Sequence, residues 1–172
     1  MAFLEILKYI LPSIVVLLAS YFAMKAFFEN EQNKRRMDLR TSNQKLITPI
    51  RLGAYERLVI LLERIQPDSM IMRLQQNGIT SQKLHADLLS LIRAEFEHNL
   101  SQQVYVSNQT WEVIKSAKEN TVKLINMAAA GIKPDSTSYE LSKAILEMMM
   151  QANKTPSVVG IEFLKNEVRQ YF

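Results

Sequence analysis

The 172-residue chain has no cysteine, only four glycines, five prolines and two histidines, and a single tryptophan. Without cysteine there is no disulfide, no zinc–thiolate site and no thiol nucleophile. No glycine-rich phosphate loop is present, and no Ser-His-Asp arrangement stands out. The two histidines, His85 and His98, stand too far apart on one expected helix to share a metal. Glu95-Phe-Glu-His98 offers one Glu-x-x-His pair, half of what a di-metal site in a helical bundle needs, and no second copy of the pattern exists. No alternating apolar–polar run is long enough to make a sheet. The reading is therefore non-enzymatic, with no catalytic residue, no metal ligand and no cofactor.

What the chain does have is an uncharged run from Tyr9 to Met24. A helix needs roughly 20 residues to cross about 30 Å of hydrocarbon, so this run must borrow from its flanks. Phe3, Leu4, Ile6 and Leu7 precede it, Ala26, Phe27 and Phe28 follow it, and Lys8 and Lys25 can extend their ammonium groups to the headgroups. Tyr9, Tyr21, Phe27 and Phe28 fall where aromatic side chains favour the interface. Pro12 is expected to mark a bend between an interfacial segment, residues 2–11, and the span. A signal peptide would carry its positive charge before the run, yet Glu5 and Lys8 cancel there. A buried core helix is the other alternative. The span is read as a single-pass anchor, with residues 3–28 in membrane lipid.

Seven basic residues (Lys25, Lys34, Arg35, Arg36, Arg40, Lys45, Arg51) and three acidic ones (Glu29, Glu31, Asp38) follow the run, giving +4, the formal charge of the whole chain. Residues 52–172 sum to zero. The basic excess is thus a juxtamembrane collar rather than a basic domain. Positive charge retained inside predicts an outside N-terminus and a cytoplasmic C-terminal domain. Lys25, Lys34, Arg35, Arg36 and Arg40 are the membrane-surface residues, setting topology or meeting anionic lipid. Neutrality beyond Arg51 argues against nucleic acid as a partner.

The rest reads as all-α: an anchor over 1–28, a polar stalk over 29–47 that continues the membrane helix, and a compact bundle of about five helices over 48–172. Thr48-Pro49 suggests a cap followed by proline at the first helical position. That helix, to Ile65, carries Leu58-Val-Ile-Leu-Leu62, apolar on every face and so expected at the centre. A short helix opens at Pro67 and stops at Asn77-Gly78. Longer helices are expected over 80–103 and 108–130, the latter stopped by Gly131. Thr137-Ser-Tyr-Glu140 matches a capping box, and Thr155-Pro156 opens a last helix that buries Ile161, Leu164 and Val168. In the stalk, Met37 and Leu39 are the only apolar residues between Glu29 and Lys45, which disfavours a long coiled coil, although other homo-oligomers stay open.

Three features are candidate surfaces. Met148-Met-Met150 could adapt to a partner, but Met148 at helical spacing reads as core filling. Trp111 sits in an apolar stripe and reads as core. The stretch around Asn99-Leu-Ser-Gln-Gln-Val-Tyr-Val106 carries amides and a tyrosine where a helix should end. It reads either as a partner-recognition edge, with Glu97, His98, Asn99, Gln102, Gln103 and Tyr105 as candidates, or as a turn whose amides satisfy helix ends.

The segment Glu97-His98-Asn99-Leu100-Ser101-Gln102-Gln103-Val104-Tyr105-Val106, with Trp111 and Ala117-Lys118-Glu119 following, resembles a family of uncharacterised membrane-anchored helical proteins from Bacteroidetes bacteria. The resemblance covers most of the chain, including anchor and collar. It implies a bacterial inner-membrane setting and an accessory role, and carries no catalytic residues. The expected function is a non-enzymatic adaptor that presents a helical domain to an unidentified membrane or cytoplasmic protein. A membrane-tethered binder of anionic lipid or nucleic acid through the collar is the alternative.

Overall fold

The computed structural model describes residues 2–171, with side chains from Ser13 to Gln170. The flanking side chains of Phe3, Leu4, Ile6, Leu7, Lys8 and Tyr9, and the terminal Phe172, lie outside the described residues. Six α-helices account for nearly all of the described chain: α1 (Ala2–Arg64), α2 (Pro67–Leu74), α3 (Ser81–His98), α4 (Asn108–Ala130), α5 (Ser138–Gln151) and α6 (Pro156–Tyr171). A 3₁₀ turn, Leu100–Val104, lies between α3 and α4. The fold is all-α, one long N-terminal helix followed by a bundle of five.

Two expected breaks are absent. α1 runs through Pro12 with no separate interfacial segment, and through Pro49 with no new start at Thr48. A proline inside a helix removes one hydrogen bond and crowds the carbonyl four residues earlier, at about 3 kcal/mol or more. Breaking the helix would instead orphan four carbonyls and four amides. Losing one bond is the smaller loss.

The chain divides into two compact units, Met1–Thr48 and Pro49–Phe172. The first contains one helix long and apolar enough to cross a membrane, and none of its apolar window is buried. Ile14 to Leu18, Tyr21, Phe22, Met24, Phe27 and Phe28 are all exposed. Ser20 returns its hydroxyl to the Val16 carbonyl at 2.8 Å, so even its polar group is satisfied within the helix. Burying a large apolar side chain is worth roughly 1.5–3 kcal/mol, so ten of them left in water forgo on the order of 20 kcal/mol.

The second unit is a packed bundle. Leu58, Leu61, Leu62 and Ile65 of α1 meet Met70, Leu84, Leu88, Ile92, Ile114, Ile125, Leu141, Ile145 and Leu164, all essentially inaccessible. α4 packs on α3, α5 and α6, while α2 packs on α3 and α5. Ser107 caps α4, its Oγ accepting from the Thr110 amide at 3.0 Å, and Trp111, Ile114, Ala117, Thr121, Ile125 and Ala128 form the buried stripe expected of that helix. Gly131 is the C-cap of α4, yet its φ of −91° needs no glycine. The residue that does is Gly78, at φ +85°, in the turn between α2 and α3.

Three local expectations change. The 80–103 helix ends at His98, and a tighter turn takes over. The capping box at Thr137 does not form, because the start of α5 is tied elsewhere: Thr137 bridges Thr80, and the Ser138 amide donates to the Ile79 carbonyl at 3.1 Å. The run Leu58–Leu62 is not central on every face, since Val59 is only half-buried and Ile60 is 55% exposed. α1 therefore lies at the edge of the bundle.

Candidate functional site

Lys25, Lys34, Arg35, Arg36 and Arg40 are all exposed on α1. At about 100° per residue, Lys25, Arg36 and Arg40 lie within about 60° on one side of the helix and Lys34 nearly opposite, with Arg35 between. Arg35 pairs with Glu31 at 3.1 Å. The charges encircle the helix instead of forming a flat basic face.

The amide-rich stretch divides into inward and outward residues. Asn99 is buried at the end of α3, where its Nδ2 donates to the Glu95 carbonyl at 2.9 Å. Gln102 is also buried, donating to Ser101 Oγ at 3.3 Å. Gln103 is exposed but returns its amide to the Leu100 carbonyl at 2.9 Å. These three side chains are occupied in finishing α3 and the 3₁₀ turn. Glu97, His98 and Tyr105 remain at the surface beside Val104, which is 76% exposed.

Glu97 also borders a groove of about 630 Å³ between α3 and α4. Leu89, Phe96 and Val122 line it, and Arg93, Lys118 and Lys123 stand at its sides. Its form is set from beneath: Phe96 stacks on Trp111 with ring centroids 5.5 Å apart, and Lys118 Nζ sits 4.5 Å over the Phe96 ring. The tryptophan supports this surface from the core.

The most concentrated polar chemistry is a buried cluster that periodicity did not reveal. Tyr55 Oη donates to Glu167 Oε1 at 2.8 Å, and Ser107 Oγ donates to Oε2 of the same carboxylate at 3.1 Å. Nearby, Arg51 Nε donates to the Tyr105 carbonyl at 3.1 Å. The Tyr55 pKa is pushed up to about 12, first by burial and then by the hydrogen bond and negative charge of Glu167, with Arg51 opposing. A carboxylate held by two hydroxyl donors, facing a tyrosine that resists ionisation, is built to join α1, α4 and α6. One signal was legible: Glu167 lies three residues after Leu164, on the stripe that α6 buries.

Glu95 is likewise committed, 3.2 Å from Arg64 and 3.7 Å from Arg73. Among the described residues no group of three or more His, Asp or Glu side chains has the geometry to hold a metal. His85 meets Asn126 at 2.8 Å across α3 and α4, at the rim of a cavity of about 310 Å³.

Comparison with characterised proteins and with solved structures returns no match. A family model does match, over residues 1–171, so it takes in the long apolar helix and the bundle together. The chain belongs to the family of unknown function DUF7935.

Proposed function

We propose that the protein is a non-enzymatic, single-pass membrane adaptor or accessory subunit, holding its helical bundle at the cytoplasmic face of a bacterial inner membrane for a protein partner. One observation carries the reading: the apolar window near the start of α1 is wholly unburied, while the following unit closes its own core. Lipid is the medium that would cover such a helix. The encircling collar supports a role in orientation, since a helix lying on a bilayer segregates its charges to one face. The accounting of polar groups supports a role without chemistry: Glu95 and Glu167 are held by structural partners, and His85 is paired with Asn126. The groove between α3 and α4, with the exposed edge at Glu97, His98 and Tyr105, supports a protein partner.

The test is a membrane preparation of the full chain. The protein should stay in the pellet through high-salt and alkaline carbonate washes and leave it only with detergent. A C-terminal tag should be shielded from protease in intact cells with a permeable outer layer, and an N-terminal tag should be cleaved. Crosslinking before extraction should give a reproducible heteromeric species. Release by carbonate would end the anchor reading, and free protein under every crosslinking condition would end the adaptor reading.

A further inference from the structure

The face that α1 leaves outside the core is one side of a groove whose other side is α6. Leu52, Val59 and Ile60 contribute apolar surface from α1, and Leu164 and Val168 from α6, around a volume of about 570 Å³. Ile60 is 55% and Leu52 38% exposed. Glu56 stands on the α1 side, and Lys165 and Arg169 stand on the α6 side. None of these three charged side chains has an ion pair or hydrogen bond among the described residues.

Two contacts fix how the walls are aligned. Tyr55 bonds to Glu167, and Gly160 packs on Leu62 closely enough that an added Cβ would lie 2.8 Å from Leu62 Cδ1. Moving up α1 from residue 55 to 62 thus moves down α6 from 167 to 160, so the two segments run antiparallel in constant register. In that register Glu56 stands level with residue 166, between Lys165 and Arg169.

We infer that this groove is the contact surface for a second copy of the chain, paired about a twofold axis parallel to α1 and α6. Such an axis sets α1 of each copy against α6 of the other and leaves heights unchanged. Glu56 then meets the opposing copy's basic pair, about 1.5 Å in height from one residue and 4.5 Å from the other, and the match occurs twice. Ile60 and Leu52 cover apolar surface on the opposing α6. Nine residues line the groove, against roughly 20–30 on each side of a stable interface, so the pairing is weak in dilute solution and is favoured by confinement to a bilayer. This pairing rests on the anchor part of the proposed function and not on the adaptor part: release by carbonate would end the anchor, whereas a chain held in the bilayer as a monomer would end the pairing alone.

The absence of cysteine allows a clean test with the full chain in lipid bilayers. Copies carrying Glu56→Cys, mixed with copies carrying Lys165→Cys, should form mixed disulfide dimers. Tyr139→Cys, on an exposed part of α5, should not self-link at a comparable rate. Glu56→Lys should weaken dimerisation, read by single-molecule subunit counting, by about tenfold or more. Combining it with Lys165→Glu and Arg169→Glu should restore it, which a folding defect would not do. A monomeric wild-type chain, equal linking at Tyr139→Cys, or a Glu56→Lys variant that dimerises normally would each overturn the pairing. The first of these is also what a groove reserved for another protein's amphipathic helix would give.

Discussion

Tyr55 and Glu167 are 112 residues apart in the chain and 2.8 Å apart in the fold, both buried. This bond closes α6 onto the end of α1. A hydrogen bond to a charged group is worth about 1.5–3 kcal/mol, and its loss leaves a buried carboxylate short of a donor. Tyr55→Phe should therefore lower the unfolding free energy by about 2 kcal/mol in urea titrations of the detergent-solubilised chain. Glu167→Gln should cost a similar amount, and the double variant less than the sum.

The same pair gives a pH dependence of known sign. The folded pKa of Tyr55, about 12, lies above the ordinary value of 10. The folded state therefore holds the phenolic proton more tightly than the unfolded chain does. The contribution is complete below pH 10 and is lost as pH rises through 12. Alkaline titration of other groups is removed by comparison with Tyr55→Phe. The stability gap between wild type and that variant should be constant from pH 7 to 9 and shrink above pH 10. A gap that persists at pH 12 would contradict the assignment.

Gly160 offers a test of packing against propensity. Alanine in a helix interior is favoured over glycine by roughly 0.5–1 kcal/mol. Here its methyl group would fall 2.8 Å from Leu62 Cδ1, and Leu62 is wholly buried, so its side chain must shift within the core. Overpacking costs about 1–3 kcal/mol, so Gly160→Ala should be destabilising by up to about 2 kcal/mol in thermal or urea melts. In a Leu62→Ala background the clash is gone, and the same substitution should become stabilising.

The contrast between α4 and α6 shows what periodicity can and cannot carry. The bounds of α4, 108–130, follow from apolar residues recurring from Trp111 to Ala128, because every buried position in that stretch except Thr121 is also apolar. On α6 the stripe Ile161, Leu164, Val168 is equally visible, but Glu167, although it stands at stripe spacing from Leu164, carries a charge whose burial is explained only when the fold brings Tyr55 and Ser107 to it. Ile60 fails in the other direction: five apolar residues in a row suggest burial all round, and only the tertiary arrangement reveals which face is left over. At Thr48-Pro49 and Thr137–Glu140 the local signals for a helix start are genuine. Helix continuity overrides the first, and the bridge to Thr80 overrides the second. In the amide-rich stretch, the sequence marks a helix end, and the fold decides that Asn99 and Gln102 turn inward while His98 and Tyr105 stay out.

If the exposed apolar window of α1 is held by lipid, charge inside it must weaken the anchor. A charged residue at the centre of a span costs about 2.5–3.5 kcal/mol on insertion scales. Leu17→Asp combined with Phe22→Asp should move a large share of the protein from the membrane pellet to the supernatant. The far-ultraviolet helical signal of the bundle should persist, since both side chains are exposed and the bundle closes its own core. Retention in the carbonate-washed pellet would show that something other than this window holds the chain.

The collar separates orientation from lipid affinity. Replacing Lys25, Lys34, Arg35, Arg36 and Arg40 by glutamine leaves Lys45 and Arg51 as the basic residues of that segment. If the charges set topology, the variant should insert in mixed orientation, and a C-terminal tag should become partly protease-accessible in intact cells. If they bind lipid, topology should hold, and the variant should instead lose its preference for vesicles containing anionic lipid, with about 1 kcal/mol per residue at low salt. Charges encircling the helix, with Arg35 already paired to Glu31, favour the first outcome. Wild-type protein that inserts equally into neutral and anionic vesicles, beside a variant of mixed topology, would complete the case for orientation.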